Sequence, residues 1–209
     1  MARLRAGILG NVRGKVAGVV GAQWKNVNYI REYVKPANPN TAAQQVQRTM
    51  MADVVGFCKP LVGPVFNAYT DRFQKAMSGF NFFIKSNIAE FDGSIDYPVV
   101  KLTEGKLSPI IQSGAEYTTG TGALVMPFAT NYGNNGAADD QVFAAAQIPS
   151  TGLWGFPAAE VDRDTGTISI TMLPGLAPNE IECWVWAARY DNTLVSLISN
   201  SDHDQPSAP

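Results

Sequence analysis

Glycines at positions 7, 10, 14, 18 and 21 constrain the first 35 residues more than any other feature of the chain. Each glycine inside a helix costs about 1 kcal/mol relative to alanine, so this stretch is expected to be extended rather than helical. From Gln23 to Val34 it becomes rich in β-branched and aromatic residues, and alternation places Val27, Tyr29, Arg31 and Tyr33 on one face. Two strands, Lys15–Gln23 and Val27–Lys35, are expected to form a hairpin. A two-stranded ribbon is marginal in water, so this arm must lean on something else.

Pro36-Ala-Asn-Pro39 breaks the extended run, and Thr41 followed by Gln44 has the spacing of a capping box. A helix is expected from there to Lys59, with Val46, Met50, Val54 and Phe57 as its apolar face and Pro60 as its stop. A second helix is expected over Val62–Met77. A third is expected over Phe80–Ala89, after the Ser78-Gly79 break.

Beyond Asp92-Gly93 the pattern changes to short apolar runs divided by Gly, Pro and Asn: Val99–Leu102, Lys106–Gln112, Gly122–Ala129, Gln141–Ile148, Gly166–Leu173, Ile181–Tyr190 and Leu194–Ser199. Such spacing predicts an antiparallel sandwich of the immunoglobulin or fibronectin kind. The expected class is α+β. Residues 1–40 form a Gly-rich hairpin arm, 41–91 a helical segment, 92–199 the sandwich and 200–209 a polar tail.

Charge divides along the chain. Residues 1–91 carry 12 Lys and Arg against 4 Asp and Glu, a net of +8, whereas residues 92–209 carry 4 against 14, a net of −10. A basic half and an acidic half on one chain favour head-to-tail contacts between copies. Nucleic acid is a secondary reading of the basic half. Apolar runs are interrupted well short of the roughly 20 residues that cross a bilayer, so no membrane span is expected. Arg13 and Lys15 interrupt the place of a signal peptide's apolar stretch. The segment is therefore expected to be retained and the chain to be made in the cytoplasm.

The material for catalysis is thin. The one histidine, His203, falls in the expected tail, and Cys58 and Cys183 are far apart, which suits buried thiols better than a metal or redox pair. Asp162-Arg-Asp164-Thr-Gly166 begins like a calcium loop but lacks the later ligands, so a hairpin turn is expected. Gly10 to Val16 has too short a Gly-to-Gly spacing for a phosphate loop. Asp139-Asp140, after Gly-Asn-Asn-Gly, is expected to be a solvated loop. Trp154, Trp184 and Trp186 could stack on a carbohydrate, though core filling is the expected role. No catalytic residue, cofactor, metal site or small-molecule substrate is expected, and the chain is read as non-enzymatic.

The residues Gly14-Lys15, Gly18-Val-Val-Gly21, Trp24-Lys25, Tyr29-Ile30-Arg31, Asn38-Pro39-Asn-Thr41-Ala-Ala-Gln44 and Gln47-Arg48 form a pattern that resembles an N-terminal segment of uncharacterised proteins from Bacteroidota and their phages. Phe80-Asn81, Ile168–Pro174, Trp184–Ala188 and Val195 to Ser201 extend the likeness. The resemblance implies a virion component: a capsid, decoration, neck or tail subunit, partnered by its own copies or by other virion proteins. In that picture the arm residues Trp24, Val27, Tyr29, Ile30, Arg31 and Tyr33 make the assembly contacts by strand addition to a neighbour. A bacterial self-assembling filament or surface subunit is the second expectation, and a carbohydrate-binding module the third.

Overall fold

A computed structural model describes residues 2–4, 13–35, 37–71, 77–133, 135–189, 197–198 and 201–209. The chain is a mixed α+β protein with strands towards both ends and two α-helices between them. It divides into two compact units, Met1–Thr41 and Ala42–Pro209.

The first unit is an antiparallel sheet in the order β1-β4-β3-β2, built from β1 (Ala2–Leu4), β2 (Gly14–Val16), β3 (Val19–Trp24) and β4 (Val27–Glu32). The expected single strand Lys15–Gln23 is instead two. Val16 pairs with Val19 across Ala17-Gly18, and Ala17 takes a φ of +51° that lets the chain reverse within two residues. Trp24 likewise pairs with Val27, leaving a two-residue turn in which Lys25 and Asn26 both have positive φ. That is the type I′ geometry whose twist suits a hairpin. Between residues 13 and 35 Gly21 alone is buried.

The second unit has three layers. Helix α1 (Ala42–Cys58) starts directly after Thr41, but only Val54, Phe57 and Cys58 of it are buried. Val46, expected on the core face, is 55% exposed. Pro60 does not stop the helical path. It redirects it, through a 3₁₀ turn over Lys59–Leu61 into a π-helical run over Val62–Thr70. Pro60 and Pro64 each lack an N–H, so the i→i−4 ladder cannot close across them and the winding changes. The remainder of the expected second helix, residues 72–76, lies outside the described residues.

Helix α2 (Gly79–Asn87) is capped by Ser78, whose hydroxyl accepts from the Asn81 amide at 3.3 Å. Gly79 is required where it stands, because a Cβ there would lie 2.8 Å from that of Thr70. By length and composition the helical run Ala42–Thr70 could cross a membrane. Its apolar residues Val54, Phe57, Leu61, Val65 and Phe66 belong instead to the core described below.

Two sheets follow. The smaller has the order β10-β6-β5, from β5 (Glu116–Thr118), β6 (Ala123–Pro127) and β10 (Thr167–Thr171). The larger is centred on β7 (Gln141–Ile148) and β11 (Glu182–Arg189). Its outer strands are β8 (Leu153–Gly155) and β9 (Val161–Asp162) on one side, and β12 (Leu197–Ile198) and β13 (Asp202–Asp204) on the other.

One core lies between the sheets, where Leu124, Met126, Ile168 and Ile170 face Val142, Ala144, Cys183 and Val185. A second core lies on the other face of the larger sheet, where Phe143, Ala145, Trp184 and Trp186 meet Phe57, Leu61, Phe66 and Phe83 from the helices. Phe57 is its centre, with ring centroids at 5.1 Å from Trp154, 5.3 Å from Phe91 and 5.8 Å from Phe83. Burying each such ring stabilises by about 2 kcal/mol. The helices and sheets thus share a core, and the helices cover a sheet face that a free-standing sandwich would leave to water.

Several expected strands are corrected. Val99–Leu102 and Lys106–Gln112 are not strands: side chains take up backbone groups of the first, and in the second Gln112 makes an isolated bridge to Phe128 while Arg163 takes the Ser108 and Pro109 carbonyls. Asn87, fully buried, donates to the Phe83 and Lys101 carbonyls and accepts from the Lys101 amide at 2.8–3.0 Å. Ser201 Oγ accepts from the Leu102 amide. The expected polar tail contains a strand: Cys183, Trp184 and Val185 of β11 pair with Asp204, His203 and Asp202. Most of the expected last strand, Leu194–Ser199, lies outside the described residues, apart from the backbone of Leu197–Ile198.

Asp140 is not in a solvated loop. It is buried 3.6 Å from the buried guanidinium of Arg163. That guanidinium also donates to the carbonyls of Ser108, Pro109 and Asn131. Burial pulls the Arg163 pKa below its ordinary value, and the Asp140 carboxylate opposes that shift.

Candidate assembly surface

Register decides which arm residues act together. The cross-strand pairs Trp24–Val27, Ala22–Tyr29 and Val20–Arg31 stand on one face of the N-terminal sheet, and Lys15 joins them opposite Val20. The ladder continues past β4 through a bond from the Tyr33 amide to the Gly18 carbonyl. This brings the Tyr33 ring to the Lys15 ammonium, 3.6 Å from the ring centre. Lys25 lies 4.9 Å over the Trp24 ring. Of the six arm residues expected from sequence, Trp24, Val27, Tyr29, Arg31 and Tyr33 share this face. Ile30 stands on the opposite one, across from Gly21.

The face is basic and aromatic, with cations set against rings, a contact worth about 0.5–1 kcal/mol at an exposed site. Trp24 is 65% exposed and Tyr33 46%. Val16, Val19 and Val34 are exposed as well, so apolar side chains lie open on both faces. A sheet gains its stability by burying one face, and this one buries no side chain between residues 13 and 35. The lysine and arginine content of this unit, Arg3, Arg5, Arg13, Lys15, Lys25, Arg31 and Lys35 against Glu32 alone, makes it the basic pole of the chain.

Several polar groups of the second unit tie its elements together. Among the described residues, no group of three His, Cys, Asp or Glu side chains is placed to hold a metal. His203 Nε2 lies 2.7 Å from Glu182 Oε2 and joins β13 to β11. Both cysteines are free thiols and buried. Burial pushes the Cys58 thiol up to about 11 and raises that of Cys183 as well, a direction that favours the protonated form of both. Trp184 and Trp186 are buried, at 0% and 1% exposure, and Trp184 Nε1 donates to the Val100 carbonyl at 3.1 Å. Neither offers a stacking face to a sugar.

Sequence reasoning misses the Asp140–Arg163 pair, since nothing in the local pattern Asp139-Asp140-Gln141 signals burial. The pattern of β7, running continuously apolar from Val142 to Ala146, is the one available sign that its flank is buried.

Residues 11–200 match the model of a family of unknown function, DUF6266, and the chain belongs to that family. No curated protein and no solved structure matches it.

Proposed function

We propose that this member of a family of unknown function is a structural subunit of a phage virion, in the capsid, decoration, neck or tail, and that it joins its neighbours through the N-terminal sheet. One observation carries the assembly reading: a four-stranded sheet that buries no side chain between residues 13 and 35 while presenting Trp24, Val27, Tyr29, Arg31 and Tyr33 together. Aromatic residues and arginine are the types that dominate binding energy at protein interfaces. The acidic second half of the chain supplies a partner of opposite charge on another copy. The phage setting rests on the likeness of the segment from Gly14 to Arg48, and so does synthesis in the bacterial cytoplasm. An immunoglobulin- or fibronectin-like sandwich arrangement of the paired sheets belongs to the same proposal.

A bacterial filament or surface subunit is the second reading, supported by the same division of charge, which lets identical copies associate without a foreign partner. The carbohydrate reading has less support, because two of its three tryptophans are core residues.

Light scattering on the intact chain and on a Trp24→Ser, Tyr33→Ser variant tests the assembly reading, with deletion of residues 1–35 as a third sample. The expected result is oligomers for the parent and monomers for both variants. Equal oligomers in all three would refute it. Polymerisation of the pure protein favours the filament. Order gained only beside capsid or tail proteins favours the virion.

A further inference from the structure

An open sheet edge is a template for another strand, and proteins blunt such edges by keeping them short, charged or covered. Among the described residues, β1, β2, β8 and β13 have three residues each, and β9 and β12 have two. The outer edge of β5 is covered by the segment around Ser207, which bridges Glu116 and whose carbonyl accepts from the Tyr117 amide at 3.0 Å. β10 is different. It ends the smaller sheet, runs for 5 residues in unbroken register, and carries no charge, no proline and no bulge.

The ladder fixes which of its groups are open. The Met172 amide donates to the Gly122 carbonyl at 2.7 Å, and the Phe128 amide to the Gly166 carbonyl at 2.9 Å. By alternation, Ile168 and Ile170 are the residues of β10 bonded to β6. The N–H and C=O groups of Thr167, Ser169 and Thr171 therefore point away from the sheet, and all three residues are exposed. Beside this edge lies a cleft of about 280 Å³, walled by Leu153, Trp154, Met172 and Leu173, and both leucines are more than half exposed.

The sequence of the edge selects its partner. Thr167-Ile168-Ser169-Ile170-Thr171 reads the same in both directions. Two copies set antiparallel about Ser169 place Ser169 opposite Ser169, Thr167 opposite Thr171 and Ile168 opposite Ile170. The residues whose backbone groups are open thus face each other, and each exchanges both of its bonds with its opposite number. Threonine pairs and β-branched pairs are favourable across strands. Charge agrees with this register. Residues 92–209 carry a net of −10, which keeps copies of this half apart, but β10 is neutral and the nearest acid, Asp164, falls opposite Pro174 of the other copy. Leu173 falls opposite Thr165 of the other copy, so the exposed side of the cleft is covered as the strands join.

We infer that two copies of this chain pair edge to edge through β10, about a two-fold axis at Ser169, so that their smaller sheets become one continuous sheet. The contact is isologous and closes on itself. It uses no residue of the N-terminal sheet and does not rest on the assembly reading above.

The test uses the full-length chain carrying Trp24→Ser, Tyr33→Ser, which removes the contact proposed for the N-terminal sheet. Sedimentation from about 1 μM to about 1 mM is expected to show reversible dimers. Ser169→Lys and Ser169→Glu, each setting like charges opposite each other at the axis, are expected to weaken the dimer about fivefold or more. Mixing the two should restore dimers, since lysine then faces glutamate. Ser169 is exposed, so these variants keep the fold, as circular dichroism checks. Ser169→Pro removes the outward N–H without touching the ladder to β6 and should also weaken the dimer. Register is read by cross-linking. Under mild oxidation Ser169→Cys is expected to form a disulfide-linked dimer about tenfold faster than Thr118→Cys, an exposed site on β5 of the same sheet, and both native cysteines are buried.

A chain that stays monomeric at every concentration overturns the inference. So does a dimer that Ser169→Lys leaves unchanged, or cross-linking no faster through Ser169→Cys than through Thr118→Cys. If Trp24→Ser, Tyr33→Ser abolishes the parent's oligomers while Ser169→Lys does not change them, the N-terminal sheet reading survives and this one fails. If Ser169→Lys alone dissolves them, this one survives and the other fails.

Discussion

Arg163 and Asp140 face each other at 3.6 Å with neither side chain reached by solvent. The pair is fastened on both sides: Asp140 accepts from the Ala137 amide at 2.7 Å, and Arg163 reaches three carbonyls of the loops at 108–109 and 131. Arg189 Nε stands 3.8 Å from the second Asp140 oxygen. Replacing Arg163 by Met takes the donor from three carbonyls and removes the buried cation that faces a buried carboxylate, so a loss of about 3–5 kcal/mol is expected in urea unfolding. Asp140→Asn, which keeps the shape, should cost less. If Arg163→Met unfolds at the parent's midpoint, the pair has no part in holding these loops.

Asn87 is the other buried polar anchor. Asn87→Ala removes its three bonds to Phe83 and Lys101 at once, and about 3 kcal/mol of stability should go with them. Amide exchange at Lys101 provides a local readout. Its protection should vanish in the variant even under conditions where the sheets stay protected.

Gly122 combines a φ of +73° with so close an approach to the main chain that a Cβ there would lie 2.3 Å from the Met172 carbonyl oxygen. An alanine meets both a disfavoured backbone and a collision. Gly122→Ala is expected to cost about 3 kcal/mol, seen as a lowered melting temperature. Gly175, which also has positive φ but open space around it, should tolerate the same change at a smaller cost.

The thiols set the alkaline limit. Burial holds Cys58 at about 11 in the folded chain against 9.0 when exposed, so the unfolded state ionises first. Stability is then full below about pH 9 and falls as pH rises towards 11. Cys183 and Tyr97 act in the same direction, both raised first by burial and then by nearby acidic charge that includes Glu182. Urea midpoints between about pH 7 and 11 should decline, and more gently in Cys58→Ala. A thiol reagent at about pH 8 should label neither cysteine until the chain is unfolded.

How much of this is legible in the sequence depends on whether an element is stabilised by its own pattern or by a distant partner. The pattern gives Gln141–Ile148 at its observed bounds, and Gly166–Leu173 and Ile181–Tyr190 to within a residue or two at each end, because each alternates or runs apolar between clear breaks. The face shared by Val27, Tyr29, Arg31 and Tyr33 follows from period two alone. β13 escapes notice because Asp-His-Asp has no strand character. It is a strand because β11 offers an edge and because Asp202 and Asp204 accept from the Gln112 and Ala115 amides. Val99–Leu102 fails the other way: its apolar residues look like a strand while a single asparagine, 14 residues before Lys101, satisfies the backbone.

The contrast between short and long reversals orders events in time. In the N-terminal sheet, β2, β3 and β4 are joined by two-residue turns, and such hairpins close within microseconds. The rest of the molecule is stitched by contacts such as that between Leu102 and Ser201, 99 residues apart, and searches over that distance are slow. The N-terminal hairpins are therefore expected to close first. A newly made chain then presents Trp24 and Tyr33 to its surroundings while its body is still incomplete, and on the assembly reading proposed above the concentration of copies bears on whether it reaches its folded form before meeting another.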